Sequence, residues 1–238
     1  MSDKKVKVLE LLLCIVFMLI VVYFIHYYYT NINPVNRKMD NTIIKDDINR
    51  KLISDLKEKY NNDEVVMLFE VPNVIKIPIC QTDDNKYYLK HDIYNDRNDN
   101  GSMFLDYRNK SFNDKKLIVY DKLNDSNVVL KNYLDSNFYL TNNKINLYTE
   151  QGIKTYEIFS VFNEKNDFDY TNLNSYNGLT YLEHINKLKS KSLFLNDMEL
   201  NSSSKILVID IVLNKEPKND LVIVSKLVDS NRNNNTKK

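Results

Sequence analysis

Attack on a carbonyl or phosphoryl centre at neutral pH usually needs a thiolate, an activated hydroxyl or an amine with a base beside it. The chain holds few of the residues that most often supply these. Its cysteines are Cys14 and Cys80, its histidines are His26, His91 and His184, and no arginine lies between Arg108 and Arg232. Cys80 with His91 nearby in sequence could in principle form a thiol–imidazole pair. Cys80, however, closes an apolar run, where a buried and inert thiol is the ordinary outcome. Cys14 lies in a different, strongly apolar stretch, so no internal disulfide is expected. Asp96 to Gly101 has the opening of a calcium loop, but Tyr107 stands where the bidentate Glu belongs and a strand pattern follows. The sequence therefore implies no metal and no cofactor.

The elements that must position any site come next. Leu11 to Ile25 is an unbroken apolar run. With its flanks it reaches about the 20 residues a spanning helix needs, so a transmembrane anchor is expected over 8–29, followed by a polar linker over 30–40. The run is too long, and lacks the cleavage site, for a signal peptide. Tyr27 to Tyr29 would form an aromatic belt, while Lys4, Lys5 and Lys7 are matched by Arg37, Lys38 and Lys45, so charge leaves the orientation open. Ile44, Ile48, Leu52 and Leu56 form an apolar stripe that predicts a helix packed on the folded domain, and it is too short for a coiled coil.

From residue 64 onward the pattern turns to strands. They are expected at 65–71, 74–80, 103–106, 117–120, 145–149, 154–162, 206–213 and 221–227, with a hairpin at Gln151-Gly152 and Pro217 in the last loop. Between 177 and 195 the period changes. Leu179, Leu182, Ile185 and Leu188 would face inward on a helix with a Thr180–Glu183 capping box. Lys and Arg number 33 against 32 Asp and Glu. That balance lacks the concentrated basic footprint of a nucleic-acid binder. The absence of Ala and Trp and the abundance of Lys, Asn, Ile and Tyr read as coding bias. Asn is interspersed with strand-forming residues throughout, so no low-complexity segment is inferred before a polar tail at 229–238.

Several blocks resemble class B sortases: Gln81 to Asp92, Gly101 to Asn109, Lys116 to Tyr120, Asn146 to Gly152, Tyr156 to Val161, Lys187 to Ser192, Lys205 to Leu207 and Leu221 to Val228. They follow the order of that family over about 40–228. The resemblance implies a mainly β fold: a sortase-like closed eight-stranded barrel over 41–228, with an N-terminal helix and a helix between strands 6 and 7, preceded by one transmembrane helix. It also implies a plasma-membrane protein with a cytoplasmic head at 1–7 and the barrel outside the cell.

The residues of the family's chemistry are carried over position by position. Where the family has Gly-His-Asn after an Ile-Tyr strand end, Tyr120 is followed by Asp121 and Lys122, so Lys122 stands for the His. Val212 stands where the nucleophilic Cys closes its strand, and Asp220 about where the Arg follows. Valine has no lone pair to attack with, a lysine of ordinary pKa about 10.4 is a poor acid for the leaving amine at neutral pH, and Asp220 would repel an oxyanion. No register places a cysteine in the C-terminal half. A pseudoenzyme is expected, with Tyr120, Ile209, Asp210 and Ile211 as peptide-groove candidates. Its partners would be a sorting-signal peptide or an active sortase, together with the membrane through Leu11 to Ile25. A pure scaffold, its groove closed by Ile209, Ile211 and Val212, and a sortase with atypical catalytic residues are the alternatives. Lys122 could bridge Asp121 and Asp220, although solvated charges are the safer reading.

Overall fold

The computed structural model describes residues 16–27, 33–125, 127–165, 168–173, 178–214 and 219–230. The chain divides into two compact units, Met1–Asp47 and Ile48–Lys238. The first contains helix α1 at 16–27, whose apolar side chains are exposed. Among the described residues no helix is long and apolar enough to cross a membrane. This overturns the expected anchor at 8–29, and with it the membrane partner at Leu11 to Ile25 and the single-pass localisation. Residues 8–15 and 28–29 of that stretch, like the head at 1–7, lie outside the described residues. Within the stretch expected as a linker, helix α2 begins and runs Asn33–Tyr60.

Eight strands close a barrel in the second unit. They are β1 (Val65–Val71), β2 (Ile75–Cys80), β3 (Phe104–Leu105), β4 (Lys116–Lys122), β5 (Lys144–Thr149), β6 (Gly152–Glu164), β7 (Ile206–Asn214) and β8 (Asn219–Ser230). Their spatial order is β1-β2-β3-β4-β7-β8-β6-β5, antiparallel except for β2 with β3 and β4 with β7. The β-branched residues of these runs suit a pleated, half-buried wall, and their period of two sends alternate side chains to opposite faces. Met67, Phe69, Leu117, Val119, Leu207, Ile209, Ile211, Leu221 and Ile223 fill the interior. Helix α3 (Ser136–Thr141) precedes β5. Ile118, Val208, Val222 and Val224 form a second apolar layer outside the wall with Tyr181, Ile185 and Leu188 of helix α4 (Gly178–Ser190). The barrel closes between β2 and β3 through one rung, Cys80 opposite Phe104. Pro78, which has no N–H to donate, is tolerated in β2 because this side of the strand is an edge.

The helical faces differ from those expected. On α2, Asn49 and Ile53 are buried and Leu56 packs on a cluster with Cys80 and Tyr88, while Ile48 is exposed. The inward face has rotated onto Asn49 and Ile53. On α4 the buried residues are Tyr181, His184, Ile185 and Leu188, and Leu179 is exposed. Thr180 is already helical, so the proposed capping box is not at the N-terminus of the helix. The hairpin turn lies at Glu150-Gln151, with Thr149 paired to Gly152. Gly101 adopts φ +69° and a Cβ there would lie 2.4 Å from the Tyr88 carbonyl oxygen. That close approach accounts for the glycine without a calcium loop. Pro217 and the tail beyond Ser230 lie outside the described residues.

Candidate functional site

Strands β4, β7 and β8 lie side by side, and their registers set three of the sequence-predicted residues on one rung. Lys122 pairs with Val212 in the parallel ladder, and Val212 pairs with Asp220 in the antiparallel one. Residues opposite one another share a face of the sheet. Here it is the outer face, because Leu117, Val119, Ile209, Ile211, Leu221 and Ile223 on the alternate positions point into the core. Ile209 and Ile211 are fully buried there, which removes them as groove residues and equally as residues that could plug a groove. Tyr120 and Asp210, opposite each other one step along, belong to the outer face.

Each member of the rung has a definite partner. The Lys122 ammonium donates 3.1 Å to the carbonyl oxygen of Leu89 and also to that of Asp99. It is tied to the segment that follows β2, and the solvated reading of this charge is corrected. Asp220 is 1% exposed, and its Oδ2 accepts the Tyr170 hydroxyl at 3.1 Å. Tyr170, itself buried, therefore covers the β8 end of the rung. Burial and the neighbouring Asp210 and Asp220 carboxylates push its hydroxyl well above the ordinary tyrosine range. Val212 is partly buried between Lys122 and Asp220 and brings no group that can exchange a proton.

Beside the rung lies a polar cluster not anticipated from the sequence. Asp106 is fully buried and accepts from Arg108 Nε at 2.9 Å and Nη2 at 2.6 Å, from the Arg108 amide, and from the Tyr120 hydroxyl at 2.9 Å. Burial alone would raise its pKa, but the bidentate guanidinium and the other donors outweigh it and hold the carboxyl below its usual range. Tyr120 is thereby committed to Asp106. Further along the same face, Lys116 Nζ donates to the Asn172 carbonyl at 2.8 Å and lies 3.0 Å from His184 Nε2. Burial lowers Lys116 to about 7 and His184 to about 4. A lysine in phase with Ile118 and Tyr120 on an outward-facing strand was the one sequence signal for this contact.

Cys80 has none of the features of a nucleophile. It is fully buried, its Sγ is 3.7 Å from Asn62 Nδ2, and burial pushes its thiol up to about 12. His91 is not among its partners; it stacks on Tyr87 with ring centres 3.9 Å apart and places Nδ1 2.9 Å from the Tyr87 carbonyl. Cys14 lies outside the described residues. Among the described residues no group of three or more His, Cys, Asp or Glu could hold a metal.

Comparison with known proteins places this geometry in a family. Sortase B of Listeria monocytogenes is 30% identical over 179 residues, covering 72% of each chain. The chain belongs to the sortase B family. Among solved structures, sortase B of Clostridium perfringens is 28% identical with a TM-score of 0.67, covering 74% of this chain and 99% of that one. A Staphylococcus aureus sortase B–substrate complex shares the fold at 22% identity and a TM-score of 0.69, covering 75% and 85%. No family model matches. The sortase B relationship accounts for the closed barrel, the helix α2 before it and the helix α4 between β6 and β7.

Proposed function

We propose that this chain is a sortase B family barrel that binds a sorting-type peptide or a protein partner without cleaving it. The observation that carries the reading is the rung Lys122–Val212–Asp220, three adjacent positions on one outer face, which the sequence resemblance sets where the family has its His, Cys and Arg. Peptide transfer by a sortase needs a thiolate to form the acyl-enzyme, an acid for the leaving amine and a cation for the oxyanion. Val212 cannot form a bond to the carbonyl carbon. The Lys122 ammonium is occupied by two backbone carbonyls, and Asp220 puts a carboxyl where a cation is required. Loss of a nucleophile alone costs on the order of 10^6 in rate in a catalytic triad. Tyr120, Lys122 and Val212 are each partly exposed, which leaves a strip of the outer face for an extended chain to lie on.

Anisotropy of a labelled Asn-Pro-x-Thr peptide titrated with the full chain, followed by mass analysis of the peptide, tests this reading. Saturable binding with the peptide intact is expected, and cleavage overturns it. The double variant K122H/V212C supplies a second test, because cleavage gained by it alone means that the strip still orients the scissile bond. A scaffold without peptide binding is the second reading. It is favoured by the cover that Tyr170 places over Asp220, and an absence of any anisotropy change selects it.

A further inference from the structure

The opposite face of β4 carries a second feature, independent of the rung. Asp121 lies between Tyr120 and Lys122 and so points to the barrel interior, at the end where β4 runs past β3. There β2 has no partner but β1 from Ile75 to Ile79, and the wall is open. A cavity of about 250 Å³ occupies the opening. Asp121, Asn124 and Asn127 line it from the β4 side, Lys76 and Pro78 from β2, and Tyr60 from α2.

Asp121 is 2% exposed. Its Oδ1 accepts the Lys122 amide at 2.8 Å and its Oδ2 accepts Asn127 Nδ2 at 2.7 Å, so the carboxyl is held in one orientation. Asn127 is fixed in turn, because its Oδ1 accepts the Asn124 amide at 2.7 Å and its Nδ2 also donates to the Lys122 carbonyl. A carboxylate has about four lone-pair sites, and the two neutral donors use half of them. Of the protein's cations, Lys122 acts on it through its charge. Lys122 follows on the other face of the strand and holds the Leu89 and Asp99 carbonyls, while Lys76 places its ammonium 3.0 Å from Glu70 Oε1 on the outside. The arrangement is an oriented acceptor, at the floor of an opening wide enough for several heavy atoms, with an aromatic ring on the wall.

We propose that this cavity binds a small organic cation bearing N–H donors, an ammonium or a guanidinium, against the Asp121 carboxylate. Burial raises the Asp121 carboxyl to about 7, outweighing the Asn127 and Lys122 hydrogen bonds and the Lys122 charge that act to lower it. A bound cation favours the ionised form, so binding strengthens as pH rises through 7 and releases a proton below it. The other titratable groups on the wall are Lys76 and Tyr60. 

Titrations of the full chain with methylammonium chloride and with guanidinium chloride at millimolar concentration, followed by amide resonances, test the proposal. Tetramethylammonium chloride, which has no N–H, is the salt control. Saturable shifts at Asp121, Lys122 and Asn127 with either donor cation support it, and the stronger of the two identifies the preferred headgroup. The variant D121N should bind at least about tenfold more weakly. Shifts no larger than those given by tetramethylammonium, or undiminished binding by a folded D121N, overturn it. The wild-type titration decides the matter even if D121N does not fold.

Discussion

The two faces of the β4–β7–β8 wall are built from alternate residues of the same strands, yet they are under different demands. Inside, Leu117, Val119, Leu207, Ile209, Ile211, Leu221 and Ile223 form a continuous apolar layer with almost no exposure. Outside stand Lys116, Tyr120, Lys122, Asp210, Val212 and Asp220, a mixture of charged, polar and apolar groups. Period-two alternation uncouples the two sets. A sortase B barrel can therefore keep its interior, and with it the fold, while the outer residues change.

Substitutions that separate the faces test this. The largest effect is expected from Ile209→Ala, which opens a hole in the interior and should cost about 2–5 kcal/mol in urea unfolding. Asp121→Asn gives a pH-dependent contrast. The folded carboxyl titrates at about 7 and the unfolded one near its ordinary value of 3.8, so its contribution to stability is complete below about 4 and is lost as pH rises to about 7. The stability of wild type relative to D121N should fall through that window and level off above it. The opposing titration of His184 is common to both proteins and cancels. Tyr170→Phe removes the hydroxyl donated to Asp220 and should cost about 1–3 kcal/mol, read from the same unfolding curves. Val212→Thr, on the partly exposed outer face, should change stability by less than about 1 kcal/mol. If it costs as much as Ile209→Ala, the two faces are not independent.

The strands were legible because runs such as Ile206 to Leu213 combine β-branched residues with turn signals at their ends, and both properties are local. The absence of cysteine from the C-terminal half is likewise read directly from the sequence. The inward faces of the helices were not legible. Asn49 and His184 are polar residues that go inside because the barrel offers them enclosed positions, in the case of His184 against Lys116, and a pattern of apolar residues alone points elsewhere. The Asp106–Arg108–Tyr120 cluster and the Asp121 cavity escaped for the same reason. Charged residues close in sequence read as solvated until tertiary contacts bury them. The groove candidates Ile209 and Ile211 failed on parity, being one position out of phase with Asp210.

The parallel ladder between β4 and β7 also bears on how the barrel comes together. Lys116 meets Ile206 and Lys122 meets Val212, although β5, β6 and α4 all lie between them in the chain. The hairpins β1–β2, β5–β6 and β7–β8 join near neighbours and can form early, whereas the β4–β7 pairing must close a long loop before it gains any contact. The β4–β7 half of the rung is then expected to close late, after the hairpins. Substitutions at Lys122, whose rung partner lies across that loop, should register as faster unfolding with little change in the rate of folding.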